Sequence, residues 1–181
     1  MTVFVSGGAK NGKSSFAQEL AVKLAKGGKH YYVATMIPSD AEDRERIRKH
    51  LDDRAGLGFE TIECGRNILS CLDKAEKDAT FLLDSVTALL MNELFPNPAD
   101  GKMDTDAACR CAENLVTVAQ SVGNAVFVSD FIYSDAACYD ETTEVYRACL
   151  AAVDRRLAAV CDTVVEAAAG YFIVHKGEAL L

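Results

Sequence analysis

The chain of 181 residues carries 27 acidic and 19 basic side chains, for a formal charge of -8 and a pI near 4.9, and half of it is hydrophobic with only 3 prolines. That balance suits a single soluble domain able to bury a sizeable core, and it excludes disordered and collagen-like chains. The acidic surface repels phosphate backbones and anionic lipid, so no nucleic-acid partner and no membrane partner is expected, and a nucleotide would need a local device to be captured.

Apolar runs of strand length alternate with longer helical stretches. Val3 to Ser6 reads as a buried strand, and Ser14 to Lys26 as an amphipathic helix with Phe16, Leu20 and Leu24 on one face, stopped by Gly27 and Gly28. A strand over His30 to Ala34 precedes a charged helix from about Asp40 to Asp53, whose thin apolar stripe, Ile47 and Leu51, predicts exposure. A short strand over Phe59 to Ile62 and a helix over Asn67 to Lys77 follow. Thr80 to Asp84 is an apolar strand ending in a carboxylate, and Val86 to Leu94 a helix. Pro96 to Met103 is a loop. Asp104 to Ser121 reads as helix, Ala125 to Ser129 as strand, Asp140 to Val160 as helix, and Thr163 to Glu166 and Tyr171 to Val174 as two closing strands. Such alternation implies a mainly parallel sheet with helices on both faces, with ligands beyond the carboxyl ends of the strands.

The cysteines, at 64, 71, 109, 111, 138, 149 and 161, lie mostly in apolar or helical stretches. Cys109 and Cys111 have no second pair at zinc-ligand spacing, so the seven read as free, mostly buried thiols. No segment reaches the roughly 18 apolar residues of a membrane helix, and the N-terminus runs straight into a strand without a basic region and long apolar stretch. The expected compartment is the cytoplasm.

Gly7-Gly8-Ala9-Lys10-Asn11-Gly12-Lys13-Ser14 fits G-x-x-x-x-G-K-[ST] and falls between the first strand and the first helix. This context lets backbone N-H groups curl around a phosphate at a helix N-terminus, where the helix dipole also favours an anion. With Ser15 these residues form the expected nucleotide-binding set; Lys13 reaches the β- and γ-phosphates, and the Ser14 hydroxyl is a Mg²⁺ ligand. Asp84 is the expected second Mg²⁺ ligand, and an N-cap for the helix from Val86 is its alternative role. Asp130, at the end of the next strand, is the other candidate for the metal. The following Phe131-Ile132-Tyr133 reads as a substrate wall or a packing element. His50 sits among Arg46, Arg48, Lys49 and Arg54, where an imidazole could attack a nucleotide α-phosphate while the cations neutralise developing charge. A solvated surface histidine is the plainer reading. His30 and His175 suggest no role.

The sequence resembles the bifunctional adenosylcobinamide kinase and adenosylcobinamide-phosphate guanylyltransferase family of cobalamin biosynthesis. The opening VFVSGGAKNGKSSFAQEL and the strand HYYVAT are similar to that family. Arg46-Ile47-x-x-His50-x-x-x-Arg54, followed by Phe59-Glu60-Thr61-Ile62-Glu63, is similar to the segment whose histidine becomes guanylylated, and LLDSVTALLMNELF to its Walker-B strand and the Thr-x-x-x-x-Asn helix after it. Two places depart from the pattern: the family's Asn-Glu-Val-Gly loop is Asp130-Phe131-Ile132-Tyr133 here, and its Asn-Gln pair is Asp154-Arg155. The resemblance implies a RecA-like P-loop NTPase fold, ATP and GTP as substrates with Mg²⁺, a corrinoid (cobinamide) acceptor, and a homo-oligomer, specifically a trimer. It implies His50 and Lys13 as catalytic residues. A small-molecule kinase without guanylyltransferase activity, and a non-catalytic nucleotide-binding regulator, are the other readings open from sequence.

Overall fold

The computed structural model describes residues 1–178, except for the side chains of Arg46, Lys49, His50 and Asp53. In chain order the elements are β1 (Thr2–Gly7), α1 (Lys13–Ala25), β2 (His30–Ala34), α2 (Ala41–Asp53), β3 (Glu60–Glu63), β4 (Thr80–Asp84), α3 (Val86–Leu94), α4 (Ala107–Ser121), β5 (Asn124–Asp130), α5 (Glu141–Val160), β6 (Thr163–Ala168) and β7 (Tyr171–Lys176). The 7 strands form one sheet in the order β3-β2-β4-β5-β1-β6-β7. Every neighbouring pair is parallel except the hairpin of β6 and β7.

The period of two along each strand sorts the core onto two faces. Phe81 and Leu83 of β4 face a large cluster with Leu89 and Leu90 of α3, Leu115 of α4 and Leu150 and Leu157 of α5. Leu82, between them, faces the opposite side, where Val3, Val5, Val126 and Val128 meet Phe16 and Leu20 of α1. Each fully buried leucine contributes about 2 kcal/mol by transfer from water, so both helical layers are pinned to the sheet. Helix α2 is different. Its N-cap Asp40 accepts from the amide of Asp43, yet none of its described side chains is buried.

The segment expected as a helix over Asn67 to Lys77 is a short 3-10 turn, Ile68–Asp73. Its two buried residues, Ile68 and Cys71, are three apart, the period of a 3-10 rather than an α-helix. Neighbours also fix its start, since the Glu93 carboxylate accepts from the Asn67 amide and Arg66 donates to the carbonyls of Asn92 and Phe95. The cysteines are all free: Cys64, Cys71, Cys111 and Cys161 are buried, Cys149 is half-buried, and Cys109 and Cys138 are exposed.

Candidate functional site

The loop from Gly7 to Gly12 turns at the carboxyl end of β1 and delivers the chain into α1. A Cβ at Gly7 would collide with the Ala167 carbonyl of β6, so only glycine lets the loop leave the sheet here. Gly12 sits in the left-handed region at φ 81°, and no side chain caps the helix that follows. The first turn of α1 contains no acidic residue, so its amides and dipole face the loop unopposed. Asn11 donates to the Ala167 carbonyl and ties the loop to β6.

Lys13 is only 7% exposed. Its ammonium donates to the Gly8 carbonyl at 3.0 Å and to Asp130 Oδ1 at 2.6 Å. Asp130 ends β5, which pairs with β1 residue for residue up to Gly7, so the sheet register brings the acid to the mouth of the loop. The Asp130 amide in turn donates to the Thr87 hydroxyl in the first turn of α3.

Asp84 lies at the carboxyl end of β4, next to β5 in the sheet. Tyr32 donates its hydroxyl to Asp84 Oδ2 at 3.0 Å, while the Arg54 guanidinium lies 4.0 Å over the Tyr32 ring. Burial first, and the Asp84 charge second, raise the Tyr32 phenol well above its ordinary value, so it stays a donor. The capping role weighed for Asp84 belongs to its neighbour. Ser85 is the N-cap of α3 and accepts from the Ala88 amide at 3.2 Å, which leaves the carboxylate to point elsewhere. Asn92, in the last turn of α3, donates to the carbonyls of Thr35 and Gly65 and fixes the loops after β2 and β3.

A cavity of about 460 Å³ opens beside Asp84, between the ends of β2 and β4 and the inner side of α2. Tyr32, Ile37, Arg44, Ile47, Arg54, Glu63 and Asp84 line it, so it combines an apolar wall with two guanidinium groups and two carboxylates. His50 belongs to α2, between Ile47 and Arg54 in sequence; its side chain lies outside the described residues. A second cavity, about 500 Å³, lies between α3 and α5, walled by Phe131, Ile132, Tyr139 and Met91. Phe131 and Ile132 line this hollow, and Ile132 also packs against the core cluster. Tyr133 instead donates its hydroxyl to Asp154.

Asp154, which shows in the sequence only as a departure from a pattern, is a buried carboxyl next to the P-loop side of the sheet through its partner Ser129. It is buried in α5 beneath the loop after β5, and its Oδ2 accepts from Ser129 at 2.9 Å and Tyr133 at 3.3 Å. Among the described residues its Oδ1 finds no partner. Burial, with a smaller contribution from the Asp130 charge, pushes this carboxyl up to about 7 against the two hydrogen bonds. Of the two remaining histidines, His30 bonds the carbonyls of Gly28 and Leu57, and His175 hydrogen-bonds Glu166. Among the described residues no cluster of three or more His, Cys, Asp or Glu side chains gathers to hold a metal, and no helix is long and apolar enough to cross a membrane.

Comparison with solved structures supports the same architecture. The chain superposes on one solved ATPase domain with a TM-score of 0.56 at 10% identity, covering 97% of this chain and 76% of that one. A prototypical ATPase from the type III secretion system of pathogenic bacteria gives 0.52 at 12% identity over 91% of this chain and 50% of that chain. These likenesses speak to the fold alone. The bifunctional adenosylcobalamin biosynthesis protein CobU of Salmonella typhimurium (strain LT2) is 29% identical, over 91% of this chain and 93% of its own length. Residues 3–174 match the family described as cobinamide kinase / cobinamide phosphate guanyltransferase. With a P-loop closed by Lys13, acids at the ends of β4 and β5 and a match running from β1 into β7, the chain belongs to the cobinamide kinase / cobinamide phosphate guanyltransferase family.

Proposed function

We propose that this chain carries out both reactions of its family: phosphoryl transfer from a nucleoside triphosphate to the hydroxyl of adenosylcobinamide, then transfer of GMP from GTP to the resulting phosphate. The observation that carries the reading is the Lys13 ammonium, buried at the mouth of an uncapped helix N-terminus and held between the Gly8 carbonyl and Asp130. In the first reaction Gly7 to Ser15 bind the phosphates through backbone N-H groups, and Lys13 exchanges Asp130 for the γ-phosphate. Positioning and neutralisation of charge supply most of the rate.

Mg²⁺ would be held by the Ser14 hydroxyl and the Asp84 carboxylate. Hard oxygen donors suit that ion, which keeps several waters and needs only one or two carboxylates besides the nucleotide phosphates. When bound it neutralises charge on the β- and γ-phosphates. Asp130, released from Lys13, would orient the acceptor hydroxyl.

In the second reaction the His50 imidazole attacks the GTP α-phosphorus and pyrophosphate leaves, giving a phosphoramidate. A phosphate oxygen of the corrinoid then attacks the same phosphorus and frees the imidazole. The cavity beside α2 supports this role for the helix, because the guanidinium groups of Arg44 and Arg54 stand where they can meet a phosphate, with the Glu63 and Asp84 carboxylates balancing their charge when no ligand is bound. A homo-oligomer, a trimer by family, and a reducing cytoplasm that suits seven free thiols complete the reading.

Incubation with α-labelled GTP and γ-labelled ATP, with and without cobinamide, tests it. Label from ATP should move to the corrinoid, and label from GTP should move first to protein and then to corrinoid phosphate. Transfer of the γ-label alone would leave a plain kinase, and corrinoid-independent binding without transfer a regulator.

A further inference from the structure

A third hollow, about 510 Å³, opens on the opposite side of the P-loop from Asp84 and Asp130. Gly12 of the loop, Ser15, Phe16 and Glu19 of α1, and Gly170 and Phe172 of the hairpin of β6 and β7 line it. Phe172 stacks on Phe16 with ring centroids 4.0 Å apart and planes within 15°. The atom nearest to where a side chain would sprout from Gly12 is Cζ of Phe172, 3.9 Å away, so the aromatic pair stands directly against the phosphate loop. Even with this stacking, Phe172 remains 39% exposed.

The sheet order tells which end of a nucleotide belongs here. The acids stand on β4 and β5, on one side of β1, whereas β6 and β7 lie on the other. The γ-phosphate has to face the acids and the acceptor. A triphosphate running along the loop therefore brings its nucleoside out over Ser15, toward the hairpin. Lys10 and Glu19 give the rim one charge of each sign, so the hollow does not itself gather further phosphate and suits a neutral, flat group.

We propose that the base of the nucleotide held by the P-loop stacks on the Phe172 ring, with Phe16 backing it. The proposal rests on the P-loop reading above and adds a base subsite to it. Glycine at 170 and the tie from Asn11 to Ala167 hold the hairpin in register with the loop, so the ring is placed before the ligand arrives.

The test separates the base from the phosphates by titrating the full chain, with Mg²⁺ present, with ATP, GTP and inorganic tripolyphosphate in a calorimeter. Phe172→Ala should weaken ATP and GTP by about tenfold or more, since stacking on an aromatic ring is commonly worth that much, and leave tripolyphosphate within about twofold. The chain has no tryptophan, so Phe172→Trp creates a single indole. Its emission should be quenched by ATP and GTP and not by tripolyphosphate, and this readout needs no loss of packing.

Equal affinities of parent and Phe172→Ala for ATP and GTP, or quenching of the indole by tripolyphosphate as strongly as by ATP, would overturn the base subsite while leaving the P-loop in place. Should Phe172→Ala not fold, the indole decides. A parent that binds neither ATP nor tripolyphosphate, or a Lys13→Ala variant that binds both undiminished, removes the P-loop reading and the base subsite with it.

Discussion

Helices α1 and α2 follow successive strands, have the same length of 13 residues, and are built in opposite ways. Helix α1 buries Phe16, Leu20 and Ala21 against β1, β4 and β5, so the P-loop at its N-terminus is held by the core. Helix α2 has no buried side chain among those described; Arg44 and Ile47 line the cavity beside Asp84, and Arg54, just past its end, lies over Tyr32 and donates to Thr61. A phosphate cradle needs fixed amides, because its catalysis is positioning. An arm that carries a group to and from a second phosphorus needs the reverse, since weakly packed elements open at low cost. The difference in burial therefore matches the difference between the two proposed tasks.

Changes on the core-held side should hit most broadly. Lys13→Ala should lower nucleotide-dependent turnover about a hundredfold or more, equivalent to roughly 3 kcal/mol of transition-state stabilisation. Steady-state phosphorylation of cobinamide checks this, and near-parental turnover by a folded variant would take Lys13 out of the chemistry.

On the weakly packed side the expected loss is complete but selective. His50→Ala should abolish protein-bound label from α-labelled GTP while γ-phosphoryl transfer continues. The parent's label should survive alkali and be lost in acid, as a phosphoramidate requires. Label persisting in the variant would refute His50 as nucleophile.

A stability pair sharpens the same contrast. Leu20, fully buried in α1, should cost about 2–5 kcal/mol on replacement by alanine. Leu51→Ala, at a position 46% exposed in α2, should stay within about 0.5 kcal/mol. Denaturant unfolding followed by far-UV circular dichroism measures both, and a large loss at Leu51 would mean that α2 is docked more firmly than its burial indicates.

What can be read from sequence follows the same division. The loop and the strands HYYVA and TFLLD are legible because each is a local pattern: a fixed spacing of glycines and Lys13, or an apolar run between breakers. The 3-10 turn at Ile68 is not, because three-residue burial resembles a helix until neighbours such as Glu93 and Arg66 are seen to clamp its start. The ion pair of Lys13 with Asp130 spans 117 residues and is written in strand order rather than in either residue's surroundings. Phe172 reads in sequence as one more apolar residue of a closing strand. Only the hairpin's fold over α1 shows that it faces the P-loop.

Asp154 supplies a conditional effect, a pH dependence inside the core-held half. Its carboxyl is pushed up to about 7 from an ordinary 3.8, chiefly by burial, so the folded chain holds a proton there that the unfolded chain releases. Where the native state binds more protons, stability falls as pH rises. The window runs from about 4 up to about 7, and above it the loss is complete and the slope vanishes. Asp154→Asn keeps the shape and an acceptor for Ser129 and Tyr133 but has nothing to ionise. Its amide still lacks a partner on the side where Oδ1 now has none, so the gain is partial. The parent should lose several degrees of Tm between about pH 5 and pH 8 relative to the variant, since for a chain of this size about 1 kcal/mol corresponds to roughly 2–4 °C. Parallel melting curves across that range would show instead that Asp154 stays ionised in the fold. Because Ser129 leads directly to Asp130, the variant's nucleotide affinity should also respond less to pH than the parent's, a readout that packing alone would not move.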